Sequence, residues 1–335
     1  MTQPEMPARP FWSVMIPTFN PSASYLEQAL RGVLQAGIGP ENMEIEVIDH
    51  ASTTGEVEAL VRRIAGDRVK VHREPVNKGL SYIMNRCIER ASGEFIHILH
   101  HDDCVLPGFY SVLERLIHEH PVAGAAFCRY DFIDDKGVRL CEHAVLQTEA
   151  GLIEHPTETL AIRNQVQCPA IVVRRSAYET VGGFDGRFSF TLDWEMWVRI
   201  AASFPVLYHP KLLASFRVHS GSETSRLAKS GETVRESMRM IATYPKYIAA
   251  GQVKAVQAKA REWVCDLALQ KAVAFIKNGN PACAMAQLHA GLGYDRRLSS
   301  WKRAFCLWAR LVVKSRRWLI PPLPLFPAAW FQSKN

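Results

Sequence analysis

The order of hydrophobic and polar positions predicts an alternation of strands and helices over the first hundred residues. Short apolar runs indicate buried strands, and between them apolar residues recur at the spacing of one helix face. The predicted strands are SVMIP, EIEVID, VKVHRE and FIHILH. The predicted helices are YLEQALRGVLQAG, GEVEALVRRIAG and LSYIMNRCIERASG. This alternation is typical of an α/β fold with a mostly parallel sheet covered by helices on both faces.

Further strands and one more helix continue the pattern, and then the amino-acid composition of the chain changes. The predicted elements are AGAAFCRYDFID, a DDKG turn, QCPAIVVRR, the helix WEMWVRIA and the strand LLASFRVHS. After about Ser230 the chain consists of long helical stretches rich in Ala, Lys and Arg. Single cores stop growing near roughly 250 to 300 residues, so a chain of 335 residues is expected to form two units. We predict a sheet domain over 11–228 and a helical region over 229–335.

Polar residues follow three of the predicted strands, at the point where each strand ends. In open parallel sheets, ligands bind beyond the carboxyl ends of the strands. The polar residues at this predicted edge are Thr18 and Asn20 after the first strand, Asp49 and His50 after the second, and Asp102 and Asp103 after FIHILH.

The segment FIHILHHDD is the most informative of the three, because a buried strand runs directly into two carboxylates. If the strand continued, its alternation would place His100 and Asp102 on one face and His101 and Asp103 on the other. Only half of the cluster would then serve one ligand. Two adjacent acids can also simply cap the helix that follows, which is the commoner explanation for such a pair in isolation.

Composition narrows the class of protein. The formal charge of +7 suits anionic partners, such as a nucleotide, nucleic acid or an acidic membrane surface. No nucleic-acid-binding motif accompanies the charge, so we expect no nucleic acid. Neither GxxxxGK[ST] nor GxGxxG occurs. The eight cysteines form no CxxC pair, and the chain shows no signal peptide or membrane-spanning run, so we expect a cytoplasmic protein with reduced cysteines.

The chain resembles a family 2 glycosyltransferase of the GT-A fold over roughly residues 12–225. The segments that carry the resemblance, in order, are SVMIPTFN, EIEVIDHAST, NKGLSYIMNRCIERASGEFIHILHHDD, DWEMWVRIA and FRVHSGS. The resemblance implies a Rossmann-like mostly parallel sheet sandwiched by helices, a nucleotide-sugar donor that is usually a UDP-sugar, and inversion at the anomeric carbon. It also implies a divalent cation, Mn²⁺ or Mg²⁺.

The resemblance also implies a set of site residues. Asp193 matches the general base, with Glu195 as the second choice. Asp102, with Asp103 and His219, would hold the cation. The implied nucleotide-sugar-binding residues are Pro17, Thr18, Asn20, Asp49, Lys78, Asn85, His100, His101 and Arg217. The sequence departs from the family pattern at His100, where the first acid of the DxD motif is expected, and at His50, where an acid commonly follows Asp49.

Several alternatives stay open at this stage. Asp193 could serve as the N-cap of the helix WEMWVRIA. The expected function is transfer to a glycan or lipid-linked acceptor in bacterial surface polysaccharide biosynthesis, and its placement in the cell envelope is an analogy. A binding protein without turnover is a rival that the histidines at 50 and 100 would favour. A nucleotidyltransferase is a weaker rival, because the PTFNPSASY loop lacks a glycine-rich basic signature.

The C-terminal tail interleaves basic and aromatic residues in SWKRAFCLWARLVVKSRRWLIPPLPLFPAAWF. A helix of this composition could lie on the inner face of an anionic membrane, which would suit an enzyme that acts on lipid-linked glycans. It could equally pack on the catalytic domain with a solvated basic face. Peripheral membrane contact therefore stands beside a wholly soluble location.

Overall fold

The computed structural model describes residues 9–294, and the C-terminal tail discussed above lies outside the described residues. The strands are β1 Trp12–Thr18, β2 Met43–Asp49, β3 Lys70–Arg73, β4 Phe95–Ile98, β5 Cys104–Val105, β6 Ala125–Ile133, β7 Arg139–Glu142, β8 Gly151–Leu152, β9 Ile171–Arg174 and β10 Val206–Arg217. The first helices are α1 Ala23–Leu34, α2 Val57–Ala65, α3 Leu80–Arg90, α4 Phe109–Glu119, α5 Pro156–Ile162 and α6 Arg175–Val181. The later ones are α7 Leu192–Ser203, α8 Glu223–Ala228, α9 Glu232–Ile241, α10 Ala250–Lys277 and α11 Pro281–Leu292.

These strands form one sheet in the order β3-β2-β1-β4-β9-β6-β10-β5, with β7 beside β6 and β8 beside β10. The pairs β3–β2, β2–β1, β1–β4 and β6–β10 are parallel. Strand β9 runs antiparallel to both of its neighbours, β4 and β6. The predicted α/β fold with a mostly parallel sheet is therefore confirmed, and the carboxyl ends of β1, β2 and β4 meet at one edge.

Each face of the sheet is covered by a separate apolar core. The strand positions alternate, so Val14 and Ile16 of β1 point to the layer of α1, α2 and α4, whereas Met15 points to the layer of α3, α6 and α7. Burial of each such side chain contributes roughly 1.5 to 3 kcal/mol. Amphipathic helices on both faces thus hold the strand ends in fixed positions.

The C-terminal helices extend the second of these cores. Ile241 of α9 and Val264 of α10 are buried in the same cluster as α7. Ala228 of α8 packs with Phe275 of α10 in a smaller cluster. Packing is therefore continuous across residues 228 and 229, where we predicted a boundary. The division into two domains stays a prediction that rests on the change in amino-acid composition.

Two strand ends differ from the sequence-based expectation. Strand β4 stops at Ile98, and the chain then turns, with the N–H of Asp103 donating to the carbonyl of His100 at 3.1 Å. The turn returns the chain so that Val105 of β5 can pair with Ala214 of β10. The predicted alternation of faces through Asp103 is wrong for this reason. Strand β10 also ends at Arg217, so His219 lies beyond the strand and does not share a strand face with Arg217.

Two expectations about the cell compartment can be compared with the described part of the chain. Within residues 9–294, no helix combines the length and the apolar character that crossing a bilayer requires. The cysteines in this part are free thiols, in line with the expectation of reduced cysteines.

Candidate active site

A cavity of about 950 Å³ opens at the carboxyl edge of the sheet. Its lining includes residues at the ends of β1 and β4 and residues of α7 and α10. Its volume is at the upper end of the range typical of small-molecule sites, roughly 300 to 1,000 Å³. The polar edge that the sequence predicts is therefore the edge where the structure has room for a ligand.

The turn after β4 brings three metal-binding side chains together. One ligand atom each from His100, Asp102 and Asp103 lies within 4.8 Å of the others. Nε2 of His100 and Oδ2 of Asp103 are buried, and neither has a hydrogen-bond partner. Asp102 differs from these two, because its Oδ2 lies 2.9 Å from Nε2 of His219 and is therefore already hydrogen-bonded. We call the group of His100, Asp102 and Asp103 the acid turn.

The surroundings of the acid turn set unequal protonation states on its members. Burial opposes the charged form of Asp102, but the hydrogen bond with His219 and the nearby histidines hold its pKa well below the usual range. Burial and the charge of Asp102 raise the pKa of Asp103 well above its usual value. Burial lowers the pKa of His100, which favours the neutral imidazole.

These residues fit a divalent cation. Buried polar atoms without partners are rare, and two of them converge here within reach of a charged carboxylate. The donor set contains one imidazole nitrogen and carboxylate oxygens, which Mn²⁺ accepts, whereas Mg²⁺ prefers oxygen ligands alone. The substitution of His100 for the expected acid therefore replaces an oxygen donor by a nitrogen donor and keeps a site for a cation.

Arg217 supports the acid turn and has little capacity left for a ligand. Its backbone N–H donates to Oδ1 of Asp103 at 2.8 Å, and its Nε donates to the carbonyl of Asp102 at 2.7 Å. Its remaining guanidinium nitrogens donate to the carbonyl of Asp134 and to Oε1 of Gln28. Arg217 lines the cavity, but these hydrogen bonds are spent on holding the turn, so binding of the donor by Arg217 stays a prediction.

The wall after β1 contains three of the predicted donor-binding residues. Pro17, Thr18 and Asn20 line the cavity, and the buried Oγ1 of Thr18 has no hydrogen-bond partner. The side chain of Asn20 is used locally, since its Oδ1 accepts the backbone N–H of Thr53 at 2.7 Å. Nδ1 of His101 lies 3.4 Å from the carbonyl of Pro17, so His101 joins this wall to the acid turn. Thr18 is thus the member of this group with a free polar atom.

Three other predicted donor-binding residues do not line the cavity. Asp49 accepts the N–H of Ser52 at 2.9 Å and forms an ion pair with Arg73, so its carboxylate shapes the loop after β2. Asn85 exchanges hydrogen bonds of 3.0 and 2.6 Å with the backbone of Phe184. The ammonium of Lys78 lies over a tyrosine ring, 4.7 Å from its centroid. In this structure Asp49, Lys78 and Asn85 contact neighbouring protein groups outside the cavity lining, so their direct contact with a ligand stays a prediction.

His50 takes the place at the cavity that we predicted for Asp49. It lines the cavity, and its Nε2 accepts the backbone N–H of Lys78 at 2.8 Å. Its ring stacks on Tyr82, with ring centroids 5.7 Å apart. The sequence placed His50 at the predicted polar edge, directly after the strand, but named it among the site residues only as a departure from the family pattern.

Asp193 lines the cavity from the start of α7. It is the second residue of α7, after Thr191 as N-cap and Leu192, so the alternative in which Asp193 is the N-cap is wrong. The carboxylate is half-buried, accepts the N–H of Trp194 and is hydrogen-bonded by Asn164. Burial raises its pKa to about 7, which is a suitable value for a group that must accept a proton near neutral pH.

Glu195 faces away from the cavity. Positions i and i+2 of a helix lie about 200° apart, so Asp193 and Glu195 cannot point to the same side. Glu195 is 1% exposed, pairs with Arg199 at 2.9 Å, and accepts the hydroxyl of Tyr247 at 2.9 Å. We therefore correct the second choice for the base: Glu195 joins α7 to the C-terminal part and is not placed to reach a substrate.

Sequence reasoning missed Glu236, which holds the loop in front of Asp193. Its Oε1 accepts the backbone N–H groups of Ser189, Phe190 and Thr191 at 2.9, 2.6 and 2.7 Å. The residue lies in α9 and is 3% exposed. No local pattern identifies it, because the contact joins positions more than forty residues apart.

Replacement of Glu236 by alanine is expected to destabilise the protein by about 1 to 3 kcal/mol, because it leaves the buried N–H of Thr191 without an acceptor and returns two partly buried N–H groups to water. Chemical denaturation measures this change. The matched control is Glu232→Ala on the same helix, which removes surface ion pairs with Arg235 and Arg239 and should cost less than about 1 kcal/mol. Equal losses in both variants would contradict the role of Glu236.

Comparison with known proteins agrees with this geometry. The family model described as glycosyl transferase family 2 matches residues 13–181, half of the chain. The chain belongs to glycosyl transferase family 2. An uncharacterised protein, MT1568 of Mycobacterium tuberculosis, is 28% identical over 70% of this chain and 76% of its own length. An uncharacterised glycosyltransferase of Rickettsia felis is 25% identical over 67% of this chain, which spans only 36% of that relative.

Solved structures confirm the GT-A fold of this family 2 member. TarS of S. aureus, crystallised as residues 1–349 with UDP-GlcNAc, aligns with a TM-score of 0.61 and 14% identity over 90% of this chain and 80% of that one. The mannosyltransferase PcManGT of Pyrobaculum calidifontis, solved with GDP-Man and Mn²⁺, aligns with a TM-score of 0.55 and 17% identity over 92% and 89%. At these identities the likeness shows the fold, and the chain's own residues must support its chemistry.

Proposed function

We propose that this glycosyltransferase is an inverting, metal-dependent enzyme that moves a sugar from a UDP-sugar to a glycan or lipid-linked acceptor in bacterial surface polysaccharide biosynthesis. The observation that carries the proposal is that His100 and Asp102 of the acid turn line the same cavity as Asp193. The UDP-GlcNAc complex of TarS and the GDP-Man and Mn²⁺ complex of PcManGT support a nucleotide-sugar donor and a cation.

The donor diphosphate would bind at the acid turn. His100, Asp102 and Asp103 would hold the cation, which when bound offsets the negative charge that develops on the leaving diphosphate. His219 orients the carboxylate of Asp102 through their 2.9 Å contact. Arg217 fixes the backbone of both acids. Thr18 offers its free hydroxyl to the nucleoside part of the donor.

Asp193 would act on the acceptor. A hydroxyl that attacks the anomeric carbon must lose its proton, and a carboxylate with a pKa of about 7 can accept it. The acid turn and this base come from different elements, the turn after β4 and the start of α7, and both contribute to one cavity. We propose that nucleophile and leaving group lie on opposite sides of the sugar, and a single displacement in that arrangement inverts the anomeric configuration.

The sugar-nucleotide-binding protein without turnover is less well supported than the enzyme. The main observation in favour of the binding protein was the histidine at position 100, where an acid is expected. That histidine, however, supplies to the acid turn a nitrogen without a hydrogen-bond partner, which can serve as a metal ligand. The nucleotidyltransferase is disfavoured by the family match. We place the enzyme in the cytoplasm, and contact of its tail with the inner face of the membrane stays part of the proposal, since that tail lies outside the described residues.

Turnover with a panel of UDP-sugars tests the proposal. After removal of metal with EDTA, we expect Mn²⁺ to restore release of UDP more effectively than Mg²⁺, because His100 contributes nitrogen to the site. His100→Asp, which restores an oxygen donor, should shift the preference toward Mg²⁺. Binding of UDP with no release from any UDP-sugar, with metal and with candidate acceptors, would favour the binding protein.

A further inference from the structure

The C-terminal helix α10 supplies a large part of the cavity lining. The lining residues of this helix are Trp263, Leu267, Gln270, Lys271, Val273, Ala274 and Lys277, followed by the C-cap Asn278. Two of them are lysines, and they differ in burial: Lys277 is exposed, whereas Lys271 is buried. The ammonium of Lys271 is therefore the charged group of α10 that is withdrawn from water at this cavity.

Lys271 is buried without an acidic partner. The residue is 2% exposed, and its Nζ contacts the hydroxyl of Thr233 at 3.3 Å. The same nitrogen lies 4.8 Å from the centroid of the Phe190 ring. Between residues 9 and 294, no carboxylate forms an ion pair with it. Glu236, one helical turn from Thr233, spends its Oε1 on the loop that contains Phe190.

An arrangement of this kind is costly unless a ligand completes it. Withdrawing an ammonium from water costs several kcal/mol, and a buried lysine normally regains this through a carboxylate. An ammonium has three donors, and here only a hydroxyl and the face of a ring are in contact. Burial lowers the pKa of Lys271 to about 7, in line with the missing partner.

The position of Lys271 relates it to the acceptor. Its neighbour Phe190 belongs to the loop that leads directly into Asp193, the proposed base. Lys271, Phe190 and Asp193 all line the cavity. A ligand group at Lys271 would therefore lie beside the loop that leads into the proposed base.

We propose that Lys271 binds an oxyanion carried by the acceptor, so that the acceptor is an anionic molecule bearing a phosphate or a carboxylate near the hydroxyl that attacks. This inference rests on the proposed function and specifies the chemical class of its second substrate. The apolar residues of α10 on either side would contact the uncharged parts of the same molecule.

Calorimetric titration of the full chain, with UDP and Mn²⁺ already bound to fill the donor site, tests the proposal. The probes are glycerol 1-phosphate and glucuronate, with glycerol and methyl glucoside as neutral counterparts. We expect at least one anionic probe to bind and the neutral ones to bind more weakly or not at all. The two anionic probes distinguish a phosphate from a carboxylate as the recognised group.

The test variant is Lys271→Met, which keeps an unbranched side chain that is one atom shorter and removes the charge. We expect it to weaken binding of the anionic probe by about tenfold or more, because hydrogen bonds to charged groups contribute roughly 1.5 to 3 kcal/mol. The variant should fold, since it removes a buried charge. The control Lys259→Met removes the same charge from an exposed position on α10 and should leave binding unchanged.

Two results would overturn the inference: no binding of either anionic probe, or equal binding by wild type and Lys271→Met. Weaker UDP binding in Lys271→Met would also overturn it, because Lys271 would then serve the donor. Failure of the wild type to bind UDP in the first step would instead contradict the proposed function, so the two failures are distinguishable.

Discussion

Replacement of Asp193 by asparagine is expected to slow sugar transfer by about 10²- to 10⁴-fold, while UDP binding stays intact. Asparagine keeps the shape of the side chain and its hydrogen bond with Trp194 but cannot accept the acceptor proton. Release of UDP in the presence of Mn²⁺ and acceptor gives the rate, and calorimetry gives the affinity for UDP. Retained transfer in this variant would remove Asp193 from the mechanism.

The matched control on the same helix is Glu195→Gln, which removes one negative charge without touching the cavity. We expect this variant to keep donor binding and most of its rate, although loss of the pairing with Arg199 should lower its stability. A loss of transfer as large as that of Asp193→Asn, in a folded Glu195→Gln protein, would contradict our choice between the two acids.

The raised pKa of Asp193 adds a pH signature to the same variant. The rate of the wild type should rise with pH and level off above about pH 7, because only the ionised carboxylate accepts a proton. The folded pKa lies above the unfolded value of 3.8, so the stability that the protonated group contributes is lost as pH rises from about 4 through 7. Asp193→Asn has no carboxyl group at this position and should not show this loss. The melting temperature of the variant, relative to that of the wild type, should therefore rise between pH 5 and pH 8.

Replacement of Asp102 by alanine is expected to abolish the part of UDP affinity that depends on Mn²⁺. Asp102 is the member of the acid turn whose surroundings keep its carboxylate charged, so its loss leaves the cation without its main anionic ligand. Mutation of a residue that only hydrogen-bonds to a metal ligand typically lowers metal affinity by about 10- to 100-fold. Because Asp102 would itself be a ligand, we expect its loss to lower the Mn²⁺-dependent affinity for UDP by more than about 100-fold. Titration of UDP with and without Mn²⁺ measures it.

Asp135→Ala is the control for Asp102→Ala. Asp135 is an exposed acid on the turn before β7, close enough to influence Tyr25, and its removal changes the net charge by the same amount. We expect UDP affinity with Mn²⁺ to be unchanged in this control. Unchanged affinity in Asp102→Ala would show that the acid turn does not hold the cation that UDP requires.

The sequence predicted those parts of the fold that depend on local pattern. Alternating apolar runs identified β1, β2 and β4, and the polar residues after them marked the edge where the cavity lies. Helical spacing identified α7, which carries Asp193. The sequence could also have separated Asp193 from Glu195, because residues two apart on a helix point in different directions.

The remaining features depend on contacts between distant positions. The turn of the chain after Ile98 is fixed by pairing of β5 with β10 and by the hydrogen bond from Arg217 to Asp103. Neither partner is visible from the segment itself, so we expected a strand that continues. For the same reason the sequence favoured Asp49 over His50 at the cavity, because its ion pair with Arg73 forms only after β3 joins the sheet.

The hydrogen bonds of Glu236 tie the loop that leads into α7 to the C-terminal helix α9. A protein shortened to the sheet would leave three amide hydrogens without an acceptor immediately before Asp193. It would also lose the side of the cavity that α10 supplies. The smallest fragment suitable for enzymology or for exchange of acceptor preference between relatives therefore extends through α11, and swaps of specificity should move α9 to α11 together with the loop they hold.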